Sequence, residues 1–120
     1  MSEEKKAFLI SNGVDLDSAI NYVGDLEFYN EIMLEFYNGI DEQVNTLANT
    51  RGDMPNYAIL VHALKSNART LGVNYLFDVC YQHEMESKAN NSQFVNEHFN
   101  DILVQVNRFK EMVQKYKEIN

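Results

Sequence analysis

Apolar residues in this chain recur three or four positions apart over long runs, and almost nothing breaks those runs. The sequence contains a single Pro and five Gly, so extended helices are the first expectation. Between Asp25 and Asn49 the stripe is Leu26, Tyr29, Met33, Phe36, Ile40, Val44 and Leu47. A second stripe, Tyr57, Leu60, Val61, Leu64, Ala68 and Leu71, follows Asp53 as N-cap and Pro55 in the first turn, with Gly72 as a stop. Leu76, Val79, Cys80 and His83 share one face of a third segment. Val95, Phe99, Ile102, Val106, Phe109, Val113 and Tyr116 line a fourth, which opens after Asn91 or Ser92. The spacing predicts bundle helices at about 25–49, 54–71, 74–89 and 92–118. Short connections favour an all-α, antiparallel up-and-down four-helix bundle. Phe8, Leu9, Ile10, Leu16, Ile20 and Tyr22 predict one or two short N-terminal helices packed on it.

At 120 residues the chain fits one domain, 1–120, with no repeat or linker. No apolar run is long enough to span a bilayer, and no apolar segment follows Met1-Ser-Glu-Glu-Lys-Lys as a signal peptide would require. The one cysteine, Cys80, has no internal partner, so a cytoplasmic location is expected. A net charge of −8 argues against nucleic acid or an anionic membrane surface as a partner.

The helix after Asp53 has two faces. On a wheel of roughly 100° per residue, His62 points away from the apolar stripe. Ser66 and Arg69 lie beside it, Lys65 sits at the flank, and Ala58 and Ile59 lie one turn before. Neutral imidazole, with an ordinary pKa of about 6.5, is a competent nucleophile near neutrality. A phosphorylated ring would carry negative charge that ammonium and guanidinium groups stabilise. Small neighbours leave room for a second protein's active site. A lone exposed helical histidine is usually only a surface residue, and it is the surroundings of His62 that set it apart.

Those surroundings form a motif. His62-Ala-Leu-Lys-Ser-Asn-Ala-Arg-Thr-Leu-Gly72 resembles the signature of histidine-containing phosphotransfer (HPt) domains, His-x-Leu-Lys-Gly, then small residues, then Leu-Gly. Gly13-Val14-Asp15 and the run from Gly24 through Phe36 are similar to other segments of that family. The resemblance implies a bundle whose exposed histidine accepts a phosphoryl group from a receiver aspartate and passes it to another receiver. It makes His62 the acceptor and Lys65 the stabilising cation; Ser66 and Arg69, on the same face of the helix, would serve as helpers. Ala58 and Ile59, with residues of the first long helix, would form the docking surface. The implied partners are receiver domains and a histidine kinase or hybrid kinase. No cofactor is implied for this chain, because Mg²⁺ belongs to the receiver.

A carboxylate or amide on the next helix holds the ring in that family, and the matching residue is Glu84. Spacing supports the match independently: His62 and Glu84 are about equidistant from the turn at Val73, at equal height on antiparallel helices. Two departures stand out. Ser66 replaces the usual Gly, and His83 replaces the usual apolar residue before Glu84, where a hydrogen-bonded core histidine is the expectation.

Other chemistries fit less well. His83-Glu84-Met85-Glu86-Ser87 begins like a zinc-hydrolase helix but lacks the second histidine, and no Glu-x-x-His pairs suit a di-iron bundle. His98 has no partner at ligand spacing, Cys80 reads as a buried thiol, and no metal site is expected. Autonomous kinase activity would need a nucleotide domain and a Gly-rich phosphate loop; neither is present. The chain would be a carrier rather than an enzyme, and a monomer is expected. The competing reading is a helical protein-interaction module without phosphoryl chemistry.

Overall fold

Short polar side chains decide where five of the helices begin. The computed structural model describes residues 1–120, which form α1 (Glu3–Ser11), α2 (Leu16–Val23), α3 (Leu26–Asn49), α4 (Met54–Thr70), α5 (Asn74–Lys88) and α6 (Ser92–Glu118). Ser2, Asp15, Asp25, Asp53 and Asn91 each accept a hydrogen bond from a first-turn backbone N–H, satisfying a donor that the helix itself cannot. Pro55 stands in the first turn of α4, where its missing N–H does no harm. Only α5 starts without a side-chain cap. The two short N-terminal helices are both present.

The four long helices make an all-helical packed body: α4 lies against α5, α5 against α6, and α3 against both α4 and α6. Three polar links join α3 to α6. Tyr116 donates to Asn30 at 2.5 Å, Gln114 to Tyr37 at 3.1 Å and Lys110 to Asp41 at 2.7 Å. Residue numbers rise on one helix as they fall on the other, so α3 and α6 run in opposite directions.

The apolar stripes form the core, with Tyr29, Met33 and Ile40 of α3, Tyr57, Val61 and Leu64 of α4, and Ile102, Phe109 and Val113 of α6 almost wholly enclosed. Leu60 and Val79, expected inside, are half-buried, because each lies at the edge of its stripe. The face α5 buries is different: Leu76, Cys80, His83, Glu84 and Ser87. It offers one large aliphatic side chain and several polar ones. No helix of the chain is long and apolar enough to cross a membrane.

The α4–α5 turn is closed by backbone bonds. Gly72 adopts φ +70°, and Val73 N–H donates to Ala68 O at 2.9 Å, the arrangement that ends a helix on a left-handed glycine. Asp15 N–H donates to Gly72 O at 2.9 Å, Val14 and Val73 form an isolated bridge, and the buried Tyr29 hydroxyl donates to Leu71 O at 2.6 Å. The turn that spaces α4 from α5 is thus tied to the loop before α2 and to α3.

Candidate functional site

His62 stands on the outer face of α4, and its ring is 56% exposed. The helix buries Met54, Tyr57, Ala58, Val61, Leu64 and Ala68, and the 3.6-residue repeat turns position 62 outward. Glu84, on α5, comes up beside it and is only 4% exposed. Glu84 Oε2 lies 3.0 Å from His62 Nδ1. An ionised carboxylate only accepts, so in the neutral ring Nδ1 carries the proton. Nε2, with no hydrogen-bond partner, keeps its lone pair toward solvent.

Two lysines converge on the same carboxylate. Lys65 Nζ is 2.6 Å from Oε1, an ion pair rather than an aligned hydrogen bond, and its side chain is 16% exposed. Lys88 Nζ donates to Oε2 at 2.6 Å and is 62% exposed. Burial pushes the Glu84 carboxyl up, but the contacts with Lys65, Lys88 and His62 outweigh it and hold the pKa down to about 2. Glu84 is therefore a fixed anion at neutral pH. Lys65 also lies 5.6 Å from the centre of the Tyr81 ring, a cation–π contact.

Ala58, Ile59, His62, Glu84 and Lys88 line a shallow depression of about 240 Å³ over the imidazole. Ile59 is exposed at its rim. Ala58, expected on the outward face, is buried and supplies its floor, because position 58 turns toward α5. Further exposed apolar surface comes from α5, at Tyr81 and Met85. In a chain with 18 Asp and Glu, α4 carries none, and its only formal charges are Lys65 and Arg69.

The structure brings His62, Glu84 and Lys65 together but not Arg69. Arg69 lines a separate depression with Asp15, Ser18, Gly72, Asn74 and Phe77, nearly two turns further along α4. Ser66 is half-buried, with no hydrogen bond to its hydroxyl. Lys65 pairs with Glu84 rather than standing free. Lys88 joins the site from outside the motif, although its i+4 spacing from Glu84 is a readable signal for such a pair.

The other candidates resolve simply. His83 is fully buried with both ring nitrogens engaged. Cys80 is buried, which pushes its thiol up to about 12 and makes it a poor nucleophile. His98 is exposed, with Nδ1 3.3 Å from Asp101 Oδ2. No group of three or more His, Cys, Asp and Glu side chains is placed to hold a metal ion.

Comparison with family models, curated proteins and solved structures found no match.

Proposed function

We propose that the chain is a histidine phosphotransfer protein, accepting a phosphoryl group on His62 from a receiver aspartate and passing it to another receiver. The observation that carries the reading is the Glu84–His62 hydrogen bond, which places the proton on Nδ1 and leaves Nε2 as an outward nucleophile. The His62 to Gly72 motif supports it. So does a helix free of carboxylates in an acidic chain, which suits approach of an acidic receiver site.

In the proposed transfer, the Nε2 lone pair attacks phosphorus in line as the bond to the aspartyl oxygen breaks. The carboxylate leaves with the bonding pair and stays on the receiver. Nδ1 keeps its proton, so the ring becomes a phosphorylated imidazolium. Glu84 balances that positive charge, while Lys65 and the more accessible Lys88 offset the phosphoryl oxygens. The receiver supplies the aspartate and the Mg²⁺ site.

The test is transfer from phosphorylated receivers to the wild type and to His62→Gln. Acid-labile label on the wild type alone is the expected result. Binding of receivers without label in either protein would favour the interaction module instead. The lysines can be separated by exposure. Lys88→Ala should slow transfer roughly three- to tenfold while costing less stability than Lys65→Ala, since Lys88 is the exposed member of its pair and Glu84 keeps Lys65 as a partner. Lys65→Ala should slow transfer in a folded but less stable protein. Stopped-flow transfer rates beside thermal melts check both, and a wild-type rate in Lys88→Ala would remove that residue from the mechanism.

A further inference from the structure

We infer that His83 is a positioning residue for the His62 site, acting through the rotation of α5; the inference rests on the phosphotransfer reading only for its effect on transfer. The apolar contacts of α5 with the core, Tyr75, Leu76, Phe77, Val79 and Cys80, all lie in its first half, and the half that carries Glu84 buries only His83, Glu84 and Ser87. That second half has no buried apolar side chain to set its angle, which hydrophobic packing normally does. A turn of one residue, roughly 100°, would carry Glu84 away from His62.

Polar bonds from His83 hold the angle instead. Tyr57 on α4 has its hydroxyl 2.9 Å from His83 Nδ1, and the His98 carbonyl on α6 lies 3.1 Å from His83 Nε2. A carbonyl only accepts, so Nε2 carries the proton, and Nδ1 accepts from the Tyr57 hydroxyl. One neutral ring thereby joins three helices. Burial also pushes its pKa down, which favours the neutral form these two bonds require. Phe94 of α6 packs edge-on against the ring, with centroids 5.3 Å apart.

Glu84 is the next residue in the chain. Tyr57 and His62 lie on α4, and His83 and Glu84 on α5, so the buried Tyr57–His83 bond and the Glu84–His62 bond link the same two helices. Both bonds of His83 are directional, and an apolar residue of similar volume would fill the space without reproducing either.

The test reads the His62 ring itself. Wild type, His83→Leu and Tyr57→Phe are compared by ¹⁵N chemical shifts of the His62 imidazole under mildly alkaline conditions, with phosphoryl acceptance measured in parallel. The wild type is expected to show the Nδ1–H tautomer. A folded His83→Leu should show a mixture with the Nε2–H form, and transfer reduced roughly ten- to a hundredfold by misplacement of the ring. Tyr57→Phe should shift the ring the same way by less. A folded His83→Leu with wild-type His62 shifts would overturn the inference. If His83→Leu does not fold, Tyr57→Phe decides alone, and an unchanged His62 spectrum in it would overturn the inference. The tautomer measurement needs no partner, so absence of transfer in the wild type would count against phosphotransfer and leave the positioning role judged on the ring.

Discussion

Replacing Glu84 with alanine is expected to cost both function and stability. Without the carboxylate, nothing selects the Nδ1–H tautomer of His62 or balances charge building on the ring, and transfer should fall roughly a hundredfold. The fold loses as well. Lys65, mostly buried, would be left without its 2.6 Å partner, and truncating one member of such a pair leaves a charge poorly solvated. Lys88 and His62 are exposed enough to rehydrate, so a loss on the order of 2–3 kcal/mol is expected, below that of a fully enclosed pair.

The same residue gives a pH signature. The Glu84 carboxyl is held down to about 2 from an ordinary value of 4.5. A depressed carboxylate contributes stability that is present above the unfolded value and is lost as pH falls through the folded one. The wild type should therefore lose stability as pH drops from about 4.5 toward 2, while Glu84→Gln should lose less over that window. Denaturant midpoints across the range measure the difference. Equal slopes for the two proteins would show that the three contacts do not hold the carboxyl down.

The second large effect lies at a residue with no chemistry of its own. Gly72→Ala should destabilise the protein by on the order of 2–4 kcal/mol, lowering the melting temperature by roughly 10 °C. Two causes add. Gly72 sits at φ +70°, which L side chains rarely adopt, and an added Cβ would run into the backbone carbonyl of Asp15. Neither neighbour can simply swing aside, because Asp15 N–H is bonded to Gly72 O and Leu71 O to Tyr29. His62 and Glu84 stand equally far from this turn, so a shift there separates them and transfer should fall with stability. A thermal melt within about 1 °C of wild type would show that the turn relaxes freely.

The long helices were legible because their apolar residues keep one spacing and Asp25, Asp53 and Asn91 are readable caps. The Gly72 stop could be read for the same reason. Equal distance to one turn allows Glu84 to pair with His62 but equally allows an exposed helical Glu, and it is the motif's resemblance that favours the pairing found at 3.0 Å. What could not be read depends on three-dimensional neighbours. Lys65 was expected beside the imidazole, but the nearly enclosed Glu84 carboxylate draws its ammonium group. Ala58 was placed outward by its nearness to His62 in sequence, yet it is buried at the floor of a depression it shares with Glu84 and Lys88 of α5. His83 was recognised as an unusual core residue; its two partners, a hydroxyl 26 residues away and a backbone carbonyl, leave no trace in local pattern.

The most direct test of His62 Nε2 as the phosphoryl acceptor is atom-resolved. Uniformly ¹⁵N-labelled protein would be incubated with a phosphorylated receiver, and the imidazole nitrogens followed by long-range ¹H–¹⁵N correlation together with ³¹P spectra. The expected result is phosphorus bonded to Nε2 of His62, with Nδ1 still protonated and the other two histidines unchanged. Phosphorylation at Nδ1, at His83 or at His98, or a folded protein that takes no phosphoryl group from any receiver of its organism, would contradict it.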